Sequence, residues 1–308
     1  MKLVSYVTTQ CGCPSGCLGA LVEGRVYSLD SVAHTMRQLL DGGDETMAAA
    51  RKAAEHPGND TLIGELSEVT LLPPVSEPRK LFALAGNYAS HIRESRRVKA
   101  VSIGEPKRST PRVFLKPPST TLIGPKAPIK ISRLAQFIDY EVELAVVIGR
   151  RGKYLKAEDA HEYVAGYTIL NDISERRLRI REREESTEWD RFFDWLNGKW
   201  MDSFAPMGPC LVTADELGDP QALGIGLRLN GETMQDDNTA NMIWGVADLI
   251  EYISSLLTLE PGDVISMGTP GGVGFARTPP RALQPGDLVE AEIAGIGVLA
   301  NPVEADEN

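Results

Sequence analysis

Short runs of apolar residues, alternating or continuous and broken by Gly and Pro, dominate the chain and predict strands more often than helices. Near the N-terminus LVSYVTT and LGALVEG-RVYSL read as a strand followed by a hairpin with Gly24 at the turn. Asp30 or Ser31 is expected to cap a helix running through Leu40, and the Ala-rich stretch Glu45 to Glu55 predicts a second helix ending at a Pro-Gly stop. Three prolines in LLPPVSEPRK, residues 71–80, then interrupt any regular element. A boundary near residue 75 follows, with an N-terminal accessory domain over 1–75 and a larger domain over 76–308.

Beyond that boundary the texture is β-rich. Asn230-Gly231 inside GLRLNGETMQ predicts a type I′ hairpin. One amphipathic helix is expected where Ile243, Val246, Leu249, Ile250, Ile253, Leu256 and Leu257 recur at helical spacing, stopping at Glu260-Pro261-Gly262. LEPGDVI at 259–265 and LQPGDLV at 283–289 repeat one pattern, a turn feeding a β-branched strand. Together these elements predict a compact, irregular α+β fold rich in short strands rather than a parallel α/β sheet.

The run FIDYEVELAVVIG changes the picture from fold to chemistry. Strand alternation places Asp139, Glu141 and Glu143 on one face, with same-face neighbours about 7 Å apart, and the run continues into apolar residues. Buried acids on one face repel and are costly to desolvate, and a divalent cation relieves both costs. The competing reading is a solvated sheet face, and spacing alone does not separate the two. Asp172, ending the apolar strand AGYTILND, is placed to complete an all-oxygen shell, which favours Mg²⁺ or Mn²⁺, with Ca²⁺ also compatible. Of the four histidines, His34, His56 and His161 fall in surface-like stretches, whereas His91 follows a strand-turn and has Glu94 three residues on. On a helical turn that carboxylate meets the imidazole and raises its basicity, although most His-x-x-Glu pairs are ordinary surface pairs.

Composition narrows the class. A formal net charge of −11 argues against broad nucleic-acid binding but is compatible with a small anionic substrate beside local cations. There is no apolar run of membrane-spanning length and no secretory h-region at the N-terminus, so a cytoplasmic location is the default expectation. Cys11, Cys13 and Cys17 crowd into TTQCGCPSGC. A Gly/Pro-rich turn with small thiols fits this segment better than a metal site or redox switch, since the C-x-x-C pairs of zinc sites are missing.

Seven segments, GNYASHIRE, RVFLKPPSTTLIGP, DYEVELAVVIG, AGYTILNDIS, GKWMDSFAPMGPCLVT, LRLNGETMQDDNT and LEPGDVISMGTPGGVG, resemble in order the motifs of the fumarylacetoacetate hydrolase family. The resemblance runs from about residue 80 to 275 and extends to the tail. It implies a β-roll catalytic domain, commonly a homodimer, holding Mg²⁺ or Mn²⁺ on Glu141, Glu143 and Asp172. It implies His91 with Glu94 as the pair that activates water, Lys199 beside the metal, and Asn87, Lys116, Gly268 and Thr269 at the substrate. The implied substrate is a small 2,4-dioxo acid of the acylpyruvate type. Its carboxylate and 2-oxo oxygens would chelate the cation, His91 would activate water, and C–C cleavage would release an enolate. Decarboxylation or isomerisation of a 2-oxo dicarboxylic acid is the alternative, then dehydration of a 2-oxo sugar acid, and least a non-catalytic metal-binding protein. Taken singly, Lys199 also reads as a solvated lysine at a strand edge, and Lys116 before Pro-Pro as a loop residue. GTPGGVG lacks the G-K-[ST] and βαβ context of a nucleotide loop and reads as backbone passing close to the substrate.

Two features depart from the family pattern: GKWMD stands in place of the more usual GKSFD, and the charged segment ERRLRIREREESTEWDRFFDWLN, between Ser174 and Gly198, is longer than in many members. A solvated helix whose aromatic face docks on the body or on a second subunit is the simpler expectation. A lid bringing an arginine to a distal carboxylate is the sharper one.

Overall fold

The computed structural model describes residues 1–8, 16–98 and 110–306. Cys11 and Cys13 lie outside the described residues, Cys17 is disulfide-bonded, and Cys210 is free and buried.

The continuous apolar run after Glu141 forms the strand Val142–Ile148, in which every residue is buried. Both faces of the strand are covered, which is why its sequence does not alternate. Val142, Leu144, Val146 and Ile148 join a core with Tyr167, Ile169, Leu227, Leu249 and Ile253. Ala145 and Val147 turn to a second core built with Leu3, Leu39, Leu40 and Leu170. Glu143 shares the parity of Ala145 and Val147, so it sits on the face whose far end the N-terminal helices cover.

Among the described residues twelve strands share one sheet. From one edge the order runs Leu62–Glu65, Arg25–Ser28, Cys17–Val22, Lys2–Val7, Ala205–Thr213, Val164–Asn171, Val142–Ile148, Val264–Ser266, Leu81–Leu84 and Val113–Leu115. Pairing is antiparallel except where Leu81–Leu84 meets Val264–Ser266 and where Leu122–Ile123 meets Ala205–Thr213. A five-stranded sheet, Glu232–Asn238, Gly224–Leu229, Leu288–Ile293, Gly297–Ala305 and Ile129–Ile131, packs over it. The fold is therefore mixed α+β, with the short strands gathered into two large open sheets. The expected boundary near residue 75 is bridged by hydrogen-bonded pairing, with Lys2 and Leu3 registered on Val212 and Leu211.

Local signals explain most elements. Asn230 and Gly231 take φ of 53° and 81°, as a type I′ turn requires. The two L-x-P-G-D turns are alike in detail. Asp263 accepts from the amide of Glu260 at 2.8 Å, and Asp287 from that of Gln284 at 2.8 Å. The amphipathic helix spans Val246–Leu256, leaving Ile243 before it, because Asp248 accepts from the amide of Gly245 and caps the helix there. The first N-terminal helix starts later than the sequence suggests, at Met36, capped by the Thr35 side chain. Val32 and Ala33 instead turn their amides back onto the carbonyl of Leu29. None of the described helices is long and apolar enough to cross a membrane.

Candidate active site

Two adjacent strand ends deliver the acids. Glu141 precedes Val142–Ile148, Asp172 follows Val164–Asn171, and these strands pair antiparallel with Val142 opposite Asn171. The Asp172 amide donates to the Glu141 carbonyl at 2.9 Å, and the Glu141 amide to the Asn171 side chain at 2.9 Å, so the backbones that present the two carboxylates are locked together. Glu141, Glu143 and Asp172 each offer an oxygen within 4.8 Å of the others, and all three are buried. A solvated sheet face is thereby excluded for Glu141 and Glu143.

Two buried lysines and a partly buried arginine surround these acids. Lys199 donates to Glu141 Oε2 and to Asp172 Oδ2, each at 2.7 Å. Lys116 donates to Asp172 Oδ1 at 2.6 Å and to the Lys199 carbonyl at 2.5 Å. Neither lysine is the solvated or loop residue that its local sequence allows, since both are at most 3% exposed. Arg176 grips Glu141 Oε1 and donates to Asp139 Oδ2 at 2.9 Å. Asp139 belongs to the strand face read from sequence but stands outside the triad, receiving the amides of Gly274 at 2.7 Å and Phe275 at 3.2 Å.

The electrostatics follow from this pairing. Burial alone would raise the Glu141 carboxyl, but Arg176, Lys199 and His91 together outweigh it and hold the group well below the ordinary carboxylate range. Glu143 moves the other way. Burial first, then the charges of Asp172 and Glu141, push it well above that range. Its hydrogen-bond partners are neutral, the Ser266 hydroxyl at 2.5 Å and the Gly268 amide at 2.8 Å, both on Oε2. Burial likewise lowers Lys116, whereas for Lys199 the carboxylates of Asp172 and Glu141 overcome burial and raise it. A buried carboxylate supported only by neutral donors, beside two more hard oxygen donors, is the chemistry a divalent cation satisfies. Glu141, Glu143 and Asp172 fit such an ion.

His91 lies in the first turn of the helix Ala89–Val98. Its Nδ1 pairs with Glu94 Oε1 at 2.9 Å, and its Nε2 faces Glu141 Oε1 at 3.9 Å. The other Glu94 oxygen accepts the Gly272 amide at 2.8 Å, and the Ser90 hydroxyl accepts the Gly271 amide at 3.1 Å. The glycine-rich loop thus turns its amides to side chains of the site. Gly268, at φ 82°, has no room for a side chain: a Cβ there would lie 2.8 Å from the Asn87 Cβ. Asn87 spends its amide on the carbonyls of Met267 and Trp244, at 2.7 and 3.0 Å, and on the Trp244 amide at 2.8 Å. The Thr269 hydroxyl accepts from Gln235 at 2.8 Å, and Gln235 also receives the Val142 amide at 3.1 Å. The Tyr88 hydroxyl is fully buried without a hydrogen-bond partner among the described residues. His34, His56 and His161 are exposed.

The long segment before Lys199 forms the helix Glu188–Asn197, capped reciprocally by Thr187 and Asp190. Trp195 turns inward against Phe114 at 5.2 Å, and the Phe114 ring lies 5.6 Å from the Lys199 ammonium. Trp189, at 71% exposed, and Phe192 and Phe193 face outward, so only part of the aromatic face docks on the body. Arg183 is clamped to Asp194 at 2.7 and 2.8 Å. Arg176, read only as part of a charged run, is the partner of the acid cluster that sequence reasoning missed. The signal was there: Asp172, Ser174 and Arg176 alternate, and alternation carries all three to one side.

The model of the fumarylacetoacetate (FAA) hydrolase C-terminal domain matches residues 80–304. The chain belongs to the fumarylacetoacetate hydrolase family. Within that family it is 39% identical over 292 residues to the mitochondrial oxaloacetate tautomerase FAHD2A of Bos taurus, covering 95% of this chain and 86% of the relative. Among solved structures it is similar to a putative HpcE protein from Mycobacterium smegmatis, at TM-score 0.79 and 30% identity over all of both chains. It is also similar to maleylpyruvate hydrolase from Sphingobium sp. SYK-6, solved with manganese(II) and pyruvate, at TM-score 0.76 and 25% identity over all of both chains. Family relatives thus include tautomerases, isomerases and hydrolases.

Proposed function

We propose that the site is a divalent-cation centre for a small 2-oxo dicarboxylic acid and that it catalyses keto–enol interconversion of oxaloacetate. The observation that carries this reading is the placement of His91, whose Nε2 faces the acid cluster at 3.9 Å while Nδ1 is held by Glu94. A base so held can move a proton on the carbon next to a 2-oxo group. Mg²⁺ or Mn²⁺, held by Glu141, Glu143 and Asp172, would supply Lewis acidity at the 2-oxo carbonyl. Lys199 offsets negative charge developing on the substrate oxygen, and Glu94, anchored on Gly272, keeps the imidazole oriented. The likeness to the bovine tautomerase over nearly the whole chain supports oxaloacetate as the substrate. In this reading residues 1–75 are an accessory domain and two copies associate as a homodimer.

Hydrolysis of an acylpyruvate, the reaction first suggested by the sequence resemblance, is the second reading. The likeness to maleylpyruvate hydrolase supports it, and it would use the same base on water. One experiment separates the two. Metal-stripped protein, reloaded with Mn²⁺, is given the enol form of oxaloacetate and, separately, a short acylpyruvate. We expect Mn²⁺-dependent loss of enol absorbance, slowed about 100-fold or more in His91→Ala. Release of pyruvate and a carboxylic acid from the acylpyruvate without tautomerase activity would establish hydrolysis instead. Turnover of neither substrate would overturn both readings.

A further inference from the structure

The acid cluster holds one group that the metal reading does not use. Asp139 is fully buried, lies outside the triad and is surrounded by donors. Its Oδ1 accepts the amides of Tyr140 at 2.9 Å and Gly274 at 2.7 Å, and its Oδ2 accepts the Phe275 amide at 3.2 Å and Arg176 Nε at 2.9 Å. Through Nη2 of the same guanidinium Arg176 reaches Glu141 Oε1. A planar guanidinium, whose Nε and Nη2 donors are fixed relative to one another, can hold two carboxylates at a fixed separation, which an ammonium cannot. The backbone fixes the clamp as well. Ile138 and Asp139 pair with Glu175 and Ser174, and the Arg176 amide donates to the Phe137 carbonyl at 2.9 Å.

We propose that Arg176 and Asp139 act as a positioning pair that fixes the Glu141 carboxylate for cation binding and ties it to the loop around Gly274. The clamp restrains Oε1 of Glu141, while Oε2 accepts from Lys199, which also donates to Asp172. Arg176 touches neither Glu143 nor Asp172 among its hydrogen bonds, so its effect on the cation passes through Glu141.

The proposal rests on the triad being a divalent-cation centre, and its test has a sign that simple charge counting does not. Arg176 is a cation beside a cation site. Were it only a neighbouring charge, Arg176→Gln would tighten Mn²⁺ binding by removing repulsion. A positioning role requires the reverse, and loss of a residue that orients a ligand typically weakens metal binding about 10–100-fold.

Mn²⁺ affinity is measured on the full chain by the electron paramagnetic resonance signal of the free ion. The wild type is compared with Arg176→Gln, Arg176→Lys, Asp139→Asn and the Arg176→Gln/Asp139→Asn double variant. Thermal unfolding of each metal-free variant identifies those that fold. We expect Arg176→Gln to bind Mn²⁺ about 10–100-fold more weakly. Arg176→Lys should recover part of that loss, because the charge returns without the planar pair of donors. Asp139→Asn should weaken binding too, and the double variant should lose no more than the worse single one. Unchanged or tighter binding in a folded Arg176→Gln overturns the proposal while leaving the metal centre intact. Should Arg176→Gln not fold, unchanged binding in Asp139→Asn overturns it. A wild type that takes up no Mn²⁺ removes the metal centre and the positioning role together.

Discussion

At the scale of single residues, the acids were legible in the sequence and their partners were not. Period-two spacing put Glu141 and Glu143 together because a strand is regular. Asp172 was found because it ends an apolar strand beside them. Arg176 escaped because it opens a run of charges in which Arg177, Arg179 and Arg181 are exposed, and these neighbours hid an alternation that continues Asp172 and Ser174. Asn87 and Gly268, expected at the substrate, have their side chain and close packing engaged with each other and with nearby backbone. Glu143 carries the clearest consequence of pH. Its carboxyl is raised in the folded chain by burial and then by Asp172 and Glu141. A raised group favours the folded state most below its unfolded value of 4.5, and that contribution is lost as pH climbs through the higher folded value. Cation binding needs the deprotonated form, so Mn²⁺ affinity should rise over the same window with release of a proton, which calorimetry in two buffers of different ionisation enthalpy would show. Glu143→Gln should abolish that proton release and weaken Mn²⁺ more than about tenfold, the lower bound for disturbing a metal shell. In Tyr88→Phe, removing the unpaired buried hydroxyl should leave stability within about 0.5 kcal/mol of wild type or raise it. A loss of several times that, read from urea unfolding, would show that the hydroxyl has a partner in solution.

At the scale of elements, the hairpin at Asn230-Gly231 and the paired L-x-P-G-D turns came out as the sequence suggests, because turn chemistry is local. The start of the first helix did not, since Asp30, Ser31 and Thr35 are all competent caps and only tertiary packing selects among them. The second N-terminal helix, Gly43–Glu55, is joined to the body by Arg51, which donates to Asp215 at 2.9 Å and holds that carboxyl down to about 2. The contribution of a lowered carboxyl is present above its ordinary 3.8 and disappears as pH falls toward 2. Both side chains are more than a third exposed, so Asp215→Asn should cost no more than about 1 kcal/mol at neutral pH and less in high salt. On the helix Glu188–Asn197 the aromatic residues divide by contact. Trp195→Ala should destabilise by about 1–2 kcal/mol, because the half-buried ring packs on Phe114, whereas Trp189→Ala should stay within about 0.5 kcal/mol. Equal losses at the two positions would mean that the outward face is covered in solution.

At the scale of the whole molecule, the sequence suggested many short strands, and the structure joins twelve of those described into one sheet through pairings that sequence patterns do not encode. The first strand docks on Ala205–Thr213 and closes a connection of some two hundred residues, invisible to any local window. A cation bound at the triad stabilises this whole assembly by mass action, by about 2.7 kcal/mol when free metal is a hundred times its dissociation constant. The melting temperature of metal-stripped protein should therefore rise on adding Mn²⁺ and fall back with chelator. A melting temperature unmoved by saturating Mn²⁺ would contradict that.

The bond from the Gly272 amide to Glu94 spans 178 positions of sequence, and the one from Gly268 to Glu143 spans 125. No early fragment of the chain can contain both ends of either tie. A nascent or half-folded molecule therefore owns its acids long before it owns the assembled site. Uptake of Mn²⁺ during refolding then becomes a clock: it should lag behind the appearance of secondary structure and coincide with the last step.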